Sequence, residues 1–169
     1  MNSRRHGVAT VVGAVVAVLL QVMVAPSIAL FGVQPNFIAA YVLVVAVVRP
    51  DSAGSVLPFV MGLLYDLLGT GPVGGMALLL LVVSFAAGNV LELFDNRTAP
   101  VALLVFLLAT LLVESLYGIL LIALGLPVGI GEALAYRALP CTLDDGAAGL
   151  LFYAVMSRLL GSESSPKAA

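Results

Sequence analysis

The stretch that decides the fold runs from Gly7 to Val48, GVATVVGAVVAVLLQVMVAPSIALFGVQPNFIAAYVLVVAVV, and contains no charged residue. As one α-helix it would be about 60 Å long, roughly twice the hydrocarbon thickness of a bilayer. It therefore reads as two helices, broken where Pro26, Gly32 and Pro35 interrupt the run. The first lies near residues 8–25 and the second, which is short, near 36–48. The rest of the chain has the same character: 62% of its 169 residues are apolar, and its formal charge comes from seven Lys and Arg and nine Asp and Glu. A soluble domain of this length carries roughly 42 charged residues. One domain of this size cannot enclose so much apolar surface, so lipid must form part of its solvent, and the chain reads as an integral membrane protein.

Working outward from that stretch, Arg49-Pro50-Asp51 ends the second span, and a third covers 54–68 with Pro58 in its first turns. Gly69-Thr70-Gly71-Pro72 is a turn by composition. A fourth span covers 74–94, the polar turn Asp95-Asn96-Arg97-Thr98 follows, and a fifth covers 100–125, with Pro100 suited to a first helical position. Residues 126–138, with Pro127, Glu132 and Arg137, read as a loop, with room for a short interfacial helix. A last span beginning at Gly146 would be too short to cross. A start near Pro140 gives 140–160 and puts Asp144 and Asp145 in the first turns. The expectation is an all-α, six-transmembrane-helix bundle forming a single polytopic domain over 1–161, with a short cytoplasmic tail at 162–169. Six helices return both termini to one side. Arg4, Arg5, Arg49, Arg97, Arg158 and Lys167 fall on that side and Arg137 opposite, which predicts cytoplasmic termini. A cleaved secretory signal is the competing reading of the N-terminus, but the first apolar run is long for one.

Composition also removes function classes. With one cysteine, Cys141, and one histidine, His6, there is no internal disulfide and no Cys/His zinc site, and no cofactor or metal is expected. His6 beside Arg4 and Arg5 reads as part of a basic flank. A net charge of −2 argues against a nucleic-acid partner.

Few polar features remain to carry function. Ala9, Gly13 and Ala17 recur every fourth residue, a small-residue stripe that suits close helix approach within the fold, toward a partner helix or in a homodimer. Asp66, Glu92 and Glu114 fall at membrane depth, where charge is costly. Glu92 sits near headgroups at its helix end. Glu114 lies about 21 Å along its helix from Pro100, so it needs a hydrogen-bond partner, with Thr110 one turn back as a local candidate, or a polar cavity. Asp66, just before the glycine turn, is placed to accept from free amides of that turn or of the next helix start. Tyr65-Asp66 with Gly129-Ile130-Gly131-Glu132 only faintly resembles an intramembrane aspartyl protease, since the second acid is Glu and lies in a loop. Gly69-Thr70-Gly71-Pro72 lacks the lysine of a phosphate-binding loop.

Several segments, taken in order and spacing, resemble the rod shape-determining membrane protein MreD family. Pro35-Asn36 opens the second span, Gly62-Leu63-Leu64-Tyr65-Asp66-Leu67-Leu68 closes the third, and Gly71-Pro72-Val73-Gly74-Gly75-Met76-Ala77-Leu78 enters the fourth. Leu139-Pro140-Cys141-Thr142 is similar to the Leu-Pro-x-Thr that opens the family's last helix, while Asp144 and Asp145 stand where relatives often carry a neutral amide. The resemblance covers most of the chain. It implies a non-enzymatic scaffold of the cell-elongation machinery, multi-pass in the bacterial cytoplasmic membrane. It further implies binding to MreC and direct or indirect association with MreB, RodA and a class B penicillin-binding protein. The implied fold is that of the substrate-binding (S) subunits of energy-coupling-factor transporters, which supplies the alternative function of a vitamin-transporter subunit. That alternative needs an outer cavity lined by Asn36, Asp66, Asp144 and Asp145. Within the scaffold reading, Asp66 and the glycines at 62, 71 and 74 are expected to fix the third helix against the fourth.

Overall fold

The structure, a computed structural model, describes residues 2–29, 34–49, 56–93, 98–125, 131 and 139–160. Among these, six α-helices follow one another: α1 Asn2–Met23, α2 Phe37–Val48, α3 Val56–Leu68, α4 Gly75–Glu92, α5 Ala99–Ala123 and α6 Leu139–Leu160. A 3₁₀ turn at Ala25–Ser27, built around Pro26, closes α1. α1 starts six residues before the expected Val8, because nothing in Asn2 to Gly7 breaks a helix and Thr10 Oγ1 donates to the His6 carbonyl within it. The expected turn acids and bases at Asp51, Asp95, Arg97, Glu132 and Arg137, and the tail, lie outside the described residues. Three helical stretches, Arg4–Ser27, Gly75–Glu92 and Ala99–Ala123, are long and apolar enough to cross a membrane, while α2 and α3 are shorter apolar helices.

The centre of the bundle is α2. Its sequence, FIAAYVLVVAVV, has no polar face, and a helix apolar all round must be buried all round. Every residue from Phe37 to Val47 is buried, and α1, α3, α4, α5 and α6 all pack against it. At 12 residues it is about 18 Å long, well short of a hydrocarbon core, so it is an interior helix more than a lipid-facing one. Two contacts fix it along α1. The Tyr41 hydroxyl donates to the Thr10 carbonyl at 2.6 Å, with its ring edge-on to Phe152 at 5.4 Å, and the Arg49 guanidinium meets the His6 ring. These contacts, with Met156 beside Gly13, gather Arg4, Arg5, Arg49 and Arg158 toward one end of the bundle.

The small-residue stripe of α1 faces this interior. Ala17 and Gly13 are buried and Ala9 is half-buried, so most of the stripe is spent on contacts within the chain. A Cβ added at Gly13 would stand 2.5 Å from Met156 Cε and 2.7 Å from the Tyr41 ring. The outward face of α1 is instead aliphatic, formed by Val8, Val11, Val12, Val15, Val16 and Leu19. Gly13→Val should therefore destabilise the protein by about 1–3 kcal/mol through overpacking. Gly7→Val, whose Cβ meets nothing within 4 Å, should be close to neutral, and thermal unfolding of the purified protein in detergent compares the two.

Candidate functional site

Of the polar residues singled out from the sequence, Asn36, Asp66, Glu114 and Asp145 lie toward the end of the bundle opposite His6 and Arg49, where they bond at helix starts. A buried helix start has N–H groups that water cannot reach, and an unpaired one costs about 1–3 kcal/mol. α2 begins in that situation, since Asn36 at its N-cap is 1% exposed. The Asn36 side chain solves part of the problem locally, its Oδ1 accepting from the Ala39 amide at 2.9 Å. Distant helices then hold the cap residue itself. The Asn36 backbone N–H donates to Asp145 Oδ1 of α6 at 2.5 Å, and its Nδ2 donates to Glu114 Oε1 of α5 at 3.2 Å. Glu114 and Asp145 are themselves buried, at 1% and 0% exposure. Just before the cap, the Pro35 carbonyl accepts from Gln21 Nε2 of α1, and the Gln34 carbonyl is the acceptor for Cys141 Sγ.

A second corner joins α3 to α4. Gly74 is the N-cap of α4 and adopts φ +93°, which an L side chain rarely tolerates, so this cap has no side chain with which to satisfy the helix start. Asp66, in the last turn of α3, supplies the acceptors instead. Its Oδ2 accepts from Gly74 N at 2.9 Å and Ala77 N at 3.2 Å, and its Oδ1 from Met76 N at 3.1 Å. A carboxylate at a helix N-terminus is also favoured by the helix dipole. Gly62, one turn earlier, lets the two backbones approach this closely: a Cβ there would lie 2.5 Å from Ala77 Cα and 2.8 Å from the Met76 carbonyl. Gly71 sits against the Tyr117 hydroxyl of α5.

The structure thus brings Asn36, Glu114 and Asp145 together and sets Asp66 with Gly62, Gly71 and Gly74 in a separate corner. Asp144 is only half-buried and does not join the bonds around Asn36. Thr110, the local partner expected for Glu114, donates instead to the Phe106 carbonyl of its own helix, and Glu114 accepts from Asn36, 78 positions away. Glu92 is exposed at the end of α4. Sequence reasoning passed over Gln21, which is 8% exposed and ties α1 to the start of α2. The signal was present, since Gln21 is the one amide in the otherwise apolar run between Thr10 and Ser27. Chemically, both corners spend carboxylate oxygens on backbone and amide N–H groups and between them tie five helices, α2 with α5 and α6, and α3 with α4.

A family model described as rod shape-determining protein MreD matches residues 3–162. No curated protein and no solved structure matches the chain.

Replacing the Asn36 donor by an acceptor tests the first corner. Asn36→Asp should lower the unfolding midpoint sharply, because it sets a third carboxyl group against Glu114 and Asp145 and removes the Nδ2 donor. Adding Glu114→Gln restores a donor to the pair and should recover part of the loss. A double-mutant cycle on detergent-solubilised protein should return a coupling of about 0.5–3 kcal/mol, and strict additivity would exclude the contact.

Proposed function

The chain belongs to the rod shape-determining protein MreD family, whose role is the determination of rod cell shape, and from that premise we propose that it is a non-enzymatic membrane scaffold of the bacterial cell-elongation machinery. In this reading it crosses the cytoplasmic membrane six times with both termini inside and folds like an energy-coupling-factor S subunit. It binds MreC and, through it or directly, associates with MreB, RodA and a class B penicillin-binding protein, helping to organise or regulate peptidoglycan synthesis. The observation that carries the reading is the family match over nearly the whole chain. The use of the buried acids supports it. Asp66, Glu114 and Asp145 take part in internal hydrogen bonds at helix starts, as structural groups do. The aliphatic outer face of α1 suits lateral association with lipid or with a partner helix. Clustering of Arg4, Arg5, Arg49 and Arg158 toward one end agrees with termini on the positive, cytoplasmic side.

Less supports the transporter alternative. Its docking stripe, Ala9, Gly13 and Ala17, is turned mostly inward, and of its four polar candidates Asn36, Asp66 and Asp145 are engaged at helix starts while Asp144 is half-buried.

Two measurements test the scaffold. Asp66→Ala should reduce both folded yield and MreC co-purification, and Asp66→Asn, which keeps one acceptor oxygen, should lose less of each. Normal yield and MreC capture in both variants would sink the role given to Asp66. For topology, a Cys141→Ser background allows single cysteines at Ser3 and Thr70. An impermeant maleimide applied to intact spheroplasts should label Thr70→Cys and spare Ser3→Cys, with the pattern reversed in inverted vesicles.

A further inference from the structure

α2 ends where α1 starts, with Arg49 against the His6 ring, and α3 sets out again from that end at Val56. α1 and α3 therefore run side by side along α2, both pointing away from the basic end. A groove of about 370 Å³ lies between them, lined by Val11, Val15 and Leu19 of α1 and by Leu57, Val60 and Leu64 of α3, with only apolar residues in its wall. Val11, Val15, Leu19, Val60 and Leu64 are all exposed, so no described residue covers it. From Val11 to Leu19 the groove runs about 12 Å, most of the roughly 15 Å that the hydrocarbon of one leaflet occupies.

The foot of the groove is charged. One turn below Val11 on the same face comes Gly7, where an added Cβ would meet nothing within 4 Å, and Arg4 lies one turn below that. Gly7 thus leaves the groove open toward Arg4, while Arg5 and the His6–Arg49 pair adjoin it. Among the described residues Arg4, Arg5 and Arg49 form no ion pair, and of the described acids only Glu92, in the last turn of α4, reaches this end. The His6 contact occupies one nitrogen of the Arg49 guanidinium, which carries five N–H donors in all.

The apolar wall alone would suit a partner helix or a second copy, but the uncompensated positive charge at its foot favours a lipid. An occupant matched to both parts is apolar over the depth of one leaflet and negative at that leaflet's surface. On the reading of the chain as membrane-spanning, we propose that the α1–α3 groove holds an acyl chain of an anionic phospholipid, with the phosphate bound by Arg4 and Arg49. Guanidinium groups suit this task because they can meet phosphate oxygens through two parallel N–H bonds. The site uses none of the residues that hold the two helix corners and does not depend on MreC binding.

The test titrates the full chain in detergent micelles with palmitoyl-oleoyl phosphatidylglycerol and with phosphatidylcholine of the same acyl chains, and native mass spectrometry reads the bound lipid. The unaltered chain should bind phosphatidylglycerol about tenfold more tightly. Arg4→Gln with Arg49→Gln should bring the two lipids level, whereas Arg158→Gln, on α6, should keep the preference. Arg4→Gln alone breaks no bond among the described residues and should cut the preference about threefold, so the test stands even if loss of the His6 contact unfolds the double variant. Val15→Trp fills the groove from an exposed position and should weaken both lipids, while Val12→Trp, exposed on α1 outside the lining, should leave both unchanged. Equal binding of the two lipids by the unaltered chain, a preference that survives every arginine change, or binding untouched by Val15→Trp overturns the proposal. Loss of a dimer or of MreC capture in Val15→Trp with lipid binding intact gives the groove to a second copy or a partner helix, and overturns it as well. Recovery of the chain in the soluble fraction of cells would instead overturn the membrane reading, and the proposal with it.

Discussion

The structure depends on closing the N-terminus of one buried helix. α2 as a helix is shorter than the hydrocarbon layer is thick and too apolar to leave the core, so its first amides open inside protein. A bilayer interior offers them no water, and the requirement that every backbone group be satisfied becomes a requirement on side chains elsewhere. Asn36 answers it once from its own position, and Asp145 and Glu114 answer around it from α6 and α5. Because those partners are 109 and 78 positions away, the start of the second helix is complete only when the last two helices are in place. The bundle therefore cannot be divided into an early half and a late half that stand alone.

The α3–α4 corner repeats the same solution with different parts. Gly74 permits the left-handed turn but offers no side chain, so the acceptor has to come from the preceding helix, and Asp66 is placed in its last turn to supply it. Gly62 is required one turn back because the carboxylate reaches three amides only if α3 and the start of α4 nearly touch. Asp66 and these glycines form one device, and neither part would function without the other.

Much of this was legible in the chain. The breaks at Pro26 and Pro35, the glycine turn before α4 and the place of Asp66 ahead of that turn follow from local rules about proline, φ and orphan amides, and local rules can be read from local sequence. The inward direction of the Ala9, Gly13 and Ala17 stripe could not, because small residues suit internal and external contacts equally and only the position of Tyr41 and Met156 decides. The trio of Asn36, Glu114 and Asp145 was legible as three separate polar residues in apolar surroundings, but their meeting was hidden by sequence distance. α2 itself was under-read: a helix without a polar face signals burial on every side, a stronger statement than a short span. Gln21 was missed because a single amide in an apolar run resembles tolerated noise until its partner, the Pro35 carbonyl, is known.

The scarcity of charge acquires a specific meaning from these contacts. With so few polar groups at membrane depth, each one engaged at a helix start is withdrawn from chemistry, and three of the acids are engaged in that way. What the protein can offer to others is then set by what remains: aliphatic helix faces along its sides, with an apolar groove between two of them. Aliphatic faces in lipid discriminate by shape and close fit, since burial against a helix gains little over burial against acyl chains. Shape discrimination demands that the faces hold still, which a bundle fastened from within at both of its corners can provide. The internal use of the acids and the external role of a scaffold are two consequences of one rigid arrangement.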